Sequence, residues 1–111
     1  MNIEDLEKRY YIESSDIQKL ESLHLLDGVR TVGNMKTYQD QDVRDIMEML
    51  HLLNLGLDDQ ELVAYYTHSK NRLPILKKVR TTIFEHLHTY QKHLDYIDYL
   101  IYNIQKHNNG E

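Results

Sequence analysis

The chain has 111 residues, 41% hydrophobic and 28% charged, the balance of one soluble domain or of a small domain with a protruding element. It has no cysteine, which excludes disulfides, thiolate zinc sites and cysteine nucleophiles; four glycines and one proline argue against a turn-dense all-β fold. No apolar run approaches the roughly 20 residues of a membrane helix, and the first residues lack the basic-then-apolar order of a leader. A cytoplasmic protein without a membrane partner is expected. The net charge of −5 predicts no general attraction to nucleic acid.

Gly28, Gly33, Gly56, Pro74 and Gly110 divide the chain into four helical stretches and one turn-rich interval. Leu6, Ile12, Ile17, Leu20, Leu23 and Leu26 spread over two short helices with a break near Tyr11–Glu13. The interval Asp27–Thr37 holds two glycines, Asn34 and the β-branched Val29, Thr31 and Val32, which predicts a small hairpin. Val43, Ile46, Met47, Leu50, Leu53 and Leu57 then recur with the helical period, predicting a helix that buries them. Gly56 sits where a C-terminal cap falls. Asp58 can accept from the backbone donors opening a further short helix, Asp59–Tyr66.

From Pro74 to His107 the pattern changes. Leu76, Val79, Ile83, Leu87, Tyr90, Leu94, Ile97, Ile101 and Ile104 are spaced 3, 4, 4, 3, 4, 3, 4 and 3. That is a heptad seam with one four-residue stutter at Ile83–Leu87. As one helix this stretch is about 50 Å long, too long for a small head to cover. A second copy of the chain is the expected partner, with this seam as the dimer interface.

Two short helices, a small wing, two more helices and a long terminal helix is a layout that resembles the MerR family of bacterial transcription regulators. The likeness runs over nearly the whole chain. Ile3, Leu6 and Arg9 are similar to the family's first helix, with Leu6 near its usual alanine. Ile12 through Leu26 aligns without a gap to V-S-x-x-T-L-R-Y-Y-E-x-x-G-L-L, matching at Ile12, Ile17, Glu21, Leu25 and Leu26. Arg30, Thr31, Gly33, Asn34, Lys36 and Tyr38 resemble the wing, R-T-x-N-G-Y-R-x-Y. Asp42 and Val43 fit Y-S-x-x-D-L, and Leu55 to Leu62 is similar to L-G-F-S-L-E-E-I. Leu94 to Ile101 looks like the end of the dimerisation helix in short family members.

The resemblance implies an all-α fold with a small β wing: a winged helix–turn–helix head over residues 1–70 and an antiparallel coiled-coil dimerisation helix over 71–111. It implies a non-enzymatic, sequence-specific regulator that binds a palindromic promoter element as a homodimer. The second helix would enter the major groove while the wing grips the backbone. Family members distort an over-long promoter spacer for RNA polymerase, which makes the polymerase a further implied partner. The implied DNA contacts are Ser14, Ser15, Gln18, Lys19, Arg30, Lys36 and Tyr38, with Lys8 and Arg9 as additional cations. In the wing, Asn34 stands at the family's glycine, where a tight turn needs a left-handed backbone. Such a turn would put Arg30 and Lys36 on adjacent strands with Tyr38 beneath them, in reach of one phosphate run.

The departures from the pattern define a second expectation. The family's T-L-R-Y-Y is Asp16, Ile17, Gln18, Lys19 and Leu20 here, and Glu13 and Asp16 put carboxylates on a groove-facing helix. Residues 1–70 hold seven Lys and Arg against fourteen Asp and Glu, a net of −7, while residues 71–111 carry +2. A relative that keeps the fold but works by binding protein, with little or no DNA affinity, is the alternative.

Other constellations point to bland roles. Glu85 and His88 have the spacing of half a di-iron motif, which wants a second copy and further carboxylates on facing helices, and a structural or solvated histidine is expected instead. His86 and His93 lie too far apart along one helix to share an ion within a chain, so no metal or cofactor is expected. Nine tyrosines are many for this length. Tyr96, Tyr99 and Tyr102 recur every three residues and are expected to pack at the seam's margins. Tyr65 and Tyr66 are the better candidates for a pocket holding a flat or cationic small-molecule effector. No nucleophile motif surrounds Ser14, Ser15, Ser22 or Ser69, and no glycine-rich phosphate loop occurs.

Overall fold

The computed structural model describes residues 1–109; it is mostly helical, with one two-stranded antiparallel sheet and a long C-terminal helix. Gly110, read above as terminal punctuation, and Glu111 lie outside the described residues. The chain divides after Ile75 into two compact units. The first holds α1 (Ile3–Tyr10), α2 (Ser14–Ser22), β1 (Arg30–Val32), β2 (Met35–Thr37), α3 (Asp40–Leu55), α4 (Asp59–Thr67), a 3₁₀ turn at Ser69–Asn71 and the first residues of α5 (Arg72–Asn109).

Local chemistry sets where each helix begins. At α1 the Asn2 side chain accepts from the Asp5 N–H at 3.0 Å and the Asp5 carboxylate accepts from the Asn2 N–H at 3.0 Å, a reciprocal capping box. Asp58 and Glu61 repeat the device at α4, at 2.7 and 3.2 Å. At α3 the Gln39 N–H donates to Asp42 at 2.8 Å.

The helix ends share a different device. Tyr11 (φ 56°), His24 (φ 60°) and Gly56 (φ 118°) take positive φ just past α1, α2 and α3. The next N–H then reaches far back: Leu25 to Leu20 O at 3.1 Å and Leu57 to Leu52 O at 3.2 Å, five residues each, and Ile12 six residues to Leu6 O at 3.3 Å. The five-residue return after α2 and α3 is the Schellman stop, and α1 ends in a wider turn of the same hand; glycine normally occupies the positive-φ position because it has no Cβ to clash. Only one of the three positions is glycine.

The stops turn the helices back over a small core. Leu6, Ile17, Leu20, Ile46 and Leu62 are fully enclosed, with Ile12, Leu26, Tyr38, Val43, Met49, Leu52 and Leu57 buried around them. This corrects the expected face of α3. Val43, Ile46, Met49 and Leu52 are its buried line, while Met47 is 47% exposed and Leu50 and Leu53 are half-buried. The helix carries apolar residues over more than one face, so periodicity alone could not say which line meets α1, α2 and α4.

The hairpin forms where expected, with Arg30 opposite Thr37, Thr31 opposite Lys36 and Val32 opposite Met35. Its two-residue loop has positive φ at Gly33 (64°) and not at Asn34, the reverse of the expectation. Positive φ at the first loop position alone is the pattern of a type II′ turn, for which glycine leads. Beyond β2, Tyr38 and Met1 pair main chain to main chain, at 2.7 and 2.9 Å.

Helix α5 runs unbroken for 38 residues, about 57 Å. Pro74 falls in its first turn, where a missing N–H breaks no helical bond. Among its described side chains only Val79 is buried. At about 100° per residue Tyr99 lies some 160° around the helix from Ile97 and Ile101. Tyr96, Tyr99 and Tyr102 therefore stand away from the seam and not at its margins. Among the described residues, no helix is long and apolar enough to cross a membrane.

Tyr11 is 87% exposed, so its ring earns no packing for its strained backbone. Tyr11→Gly should stabilise the fold by up to about 1 kcal/mol, while Gly56→Ala should cost about 1 kcal/mol. Urea midpoints at unchanged m-value are the measurement; a destabilised Tyr11→Gly variant would contradict the strain assignment.

Candidate nucleic-acid interface

Helix α2 buries Ile17 and Leu20 and, on its other side, exposes Ser14, Ser15 and Gln18 within a single sector. The Ser15 hydroxyl donates to Glu13 at 3.4 Å. Asp16 is half-buried. Lys19 lies further round the helix, its ammonium 3.0 Å from Asp59 at the start of α4.

On the wing, register decides which way each cation points. Residues directly opposite in a ladder share a face, and neighbours along a strand alternate. Arg30 therefore shares a face with Val32, Met35 and Thr37, and Lys36 with Thr31. The two cations lie on adjacent strands but leave the ribbon on opposite faces. Lys36 turns to Glu21 of α2, at 3.4 Å. Arg30 is exposed and makes no ion pair among the described residues, and it stands beside the exposed apolar tip formed by Val32 and Met35.

Tyr38 is 2% exposed and belongs to the core, not to the surface where it was expected to meet DNA. Burial raises its phenol pKa, and the negative charges of Glu21 and Asp42 push the same way. Lys8 and Arg9 are exposed at the end of α1.

Tyr65 and Tyr66 form a compact cluster of their own. Their rings meet edge to face with centroids 5.1 Å apart. The cation over them is the chain's own Arg72, 5.0 Å from one ring centroid and 5.7 Å from the other. Arg72 Nε also donates to Tyr65 O at 3.1 Å, and Asn71 donates to Ala64 O at 2.9 Å, so two carbonyls of the last turn of α4 are satisfied by the residues that follow. The aromatic faces proposed for a cationic effector are thus occupied from within. The Tyr66 hydroxyl donates to Glu48 of α3 at 2.6 Å. Burial first, then that hydrogen bond and the Glu48 charge, hold the Tyr66 phenol far above its ordinary range.

Sequence reasoning did not identify Glu21 and Asp59 as the partners of Lys36 and Lys19, because neither pairing is local. It also missed an open cleft of about 630 Å³ between the end of α1, α2 and the outward side of α3. Tyr10, Tyr11, Met47, Leu50 and Leu53 supply its apolar wall, with Lys19 and Asp16 at the α2 edge. Among the described residues no group of three or more metal-ligating side chains occurs. No protein-family model, curated protein or solved structure matches this chain.

The raised phenols make a pH prediction. Tyr38 and Tyr66 lose their protons later in the folded chain than in the unfolded one, so their contribution is complete below about pH 10 and is lost above it. Tyr66→Phe should cost about 1 kcal/mol at pH 7 through the missing Glu48 bond. It should also shrink the stability loss between about pH 9 and 11, followed by urea melts across that range. An identical pH profile in the variant would show that Tyr66 is not held protonated by its site.

Proposed function

We propose that this protein is a homodimeric, sequence-specific DNA-binding regulator of the MerR type, its head a winged helix–turn–helix and α5 its dimerisation helix. The observation that carries the reading is α2. It follows α1 across a three-residue turn, buries one side, and leaves Ser14, Ser15 and Gln18 bare on the other, with a two-stranded wing and the unpaired Arg30 following in the chain. A helix so exposed at its N-terminal end suits the major groove, and a β-ribbon bearing a free arginine suits the flanking backbone. Two copies joined through α5 read a palindrome because the protein twofold must match the operator's.

A second reading is favoured by a specific observation. Lys19 and Lys36 face carboxylates of their own head, at 3.0 and 3.4 Å, in a unit of strongly negative charge. On that reading the fold binds another protein, and the cleft beside Tyr11, Met47 and Leu53 is the surface available to it.

Selection of duplexes from a random pool, followed by affinity across a salt series, separates the two. DNA binding requires an enriched palindrome and a negative log–log salt slope. No complex even at low salt leaves the protein-binding reading. Given a complex, Arg30→Ala should lower the slope by roughly one and weaken all sequences alike. Gln18→Ala should instead relax base preference, since glutamine can read a base edge. For the rod, Leu94→Glu with Ile97→Glu should give monomers, because paired seam residues would become buried charges. An unchanged dimer in sedimentation would place the interface elsewhere.

A further inference from the structure

This inference rests on the self-pairing of α5 in the reading above and deepens it. Counted in sevens, Leu76, Ile83, Tyr90, Ile97 and Ile104 form one line along the helix with no interruption. Three residues after members of that line, on one flank, come Val79, His86, His93, Leu100 and His107; four residues after them, on the other flank, come Arg80, Leu87, Leu94 and Ile101. The flanks lie roughly 40–60° to either side of the line. The line itself is symmetric about Tyr90, with apolar residues at seven and fourteen positions on each side.

A face that reads alike in both directions matches an antiparallel copy across a twofold at its centre. With the twofold at Tyr90, Leu76 meets the partner's Ile104, Ile83 meets the partner's Ile97, and the two Tyr90 side chains meet each other. A twofold perpendicular to the helices brings each flank against its own counterpart. On one flank Leu87 meets the partner's Leu94 and Arg80 comes level with the partner's Ile101, with the partner's Asp98 about 3 Å further along and outward as an opposite charge for the guanidinium. On the other flank His86 comes within about 1.5 Å of the level of the partner's His93. This happens twice, on either side of the Tyr90 pair. Within one chain the Tyr90 ring already stands edge-on to His93 at 6.3 Å.

We propose that α5 pairs antiparallel about Tyr90 and that each His86–His93 pair between subunits binds one divalent transition-metal ion of the zinc, nickel or copper class. Neutral imidazoles are the ligands these ions share, and water can complete the shell around two of them. Seven residues separate His86 and His93 along one helix, about 10 Å, so neither site exists without the second copy. Both side chains are exposed in the single chain and therefore available to a partner. Each flanks the apolar seam of Leu87, Tyr90, Leu94 and Ile97 and is not one of its members, so the metal-free pair adds no apolar contact and the metal-bound pair is a cross-link.

The test uses the full chain with zinc chloride or nickel chloride alone, reading stoichiometry by calorimetry and self-association by sedimentation equilibrium. The wild type should take up one ion per chain and dimerise roughly tenfold more tightly with metal. His86→Leu and His93→Leu should each stay dimeric and each lose both effects. An equimolar mixture of the two variants should regain one ion per mixed dimer, because one intact pair survives there. Independently, Tyr90→Cys should cross-link chain to chain on mild oxidation. Dimers of that variant that fail to cross-link would overturn the register while leaving self-pairing intact. Unchanged metal uptake in either histidine variant would overturn the metal site. A wild type that stays monomeric with and without metal would sink the self-pairing itself.

Discussion

Helix α5 leaves Ile83, Leu87, Tyr90, Leu94, Ile97, Ile101 and Ile104 each 45–66% exposed, and that uncovered apolar line governs what the molecule can be. Exposed apolar surface costs about 25 cal/mol for each Å² that burial would remove from water. The helix's own devices do not reduce it. Thr81, Thr82 and Thr89 donate to carbonyls four residues back and Gln91 donates to Asp95, contacts that satisfy polar groups and leave the apolar line exposed. A long helix in water gains most of its stability from the face it packs. On the proposed reading a second copy supplies that face at no cost in new sequence.

The head solves the opposite problem, enclosing a core with few residues. Three left-handed stops let α1, α2 and α3 end abruptly and send the chain back across Leu6, Ile17, Leu20, Ile46 and Leu62. At Gly56 the stop is free of Cβ strain. At Tyr11 and His24 it costs about 1–2 kcal/mol each, and the His24–Asp27 contact at 3.3 Å lies in solvent. The Tyr11 ring lies beside the cleft lined by Met47, Leu50 and Leu53. Strain held at an exposed aromatic next to an apolar wall is more readily explained by contact with another molecule than by the stability of this one.

The element order was legible because it is written in local chemistry. The Asp58 cap, the turn-rich interval of the hairpin and the spacing from Leu76 to Ile104 each involve residues near one another in the chain. What stayed hidden depends on tertiary facing. On α3, Met47, Leu50 and Leu53 fit the helical period as well as Met49 and Leu52 do, and only packing against neighbouring helices selects between them. Tyr38 was expected at the DNA because it falls within the wing-like stretch that begins at Arg30, yet just past β2 it pairs with the Met1 backbone and its ring is buried in the core. The Tyr65–Tyr66 pair was visible as aromatic surface, while its occupation by Arg72 required the 3₁₀ turn that folds the chain back over α4.

The candidate interface shows the same division in its electrostatics. The Lys19–Asp59 and Lys36–Glu21 pairs join side chains that are 37–50% exposed, and pairs so placed are worth about 0–1 kcal/mol. A phosphate offers comparable Coulomb attraction and releases a condensed counterion as well. The internal carboxylates therefore tax phosphate binding without forbidding it. On the DNA-binding reading the tax falls on every sequence alike, because phosphates are everywhere along a duplex. Contacts from Ser14 and Gln18 to base edges escape it, and Ser15 gives up only an exposed 3.4 Å bond to Glu13. An acidic head with two tied lysines lowers non-specific affinity more than it lowers the preference for a cognate site. For a regulator that must find a few operators among many competing duplex sites, that ratio matters more than affinity alone.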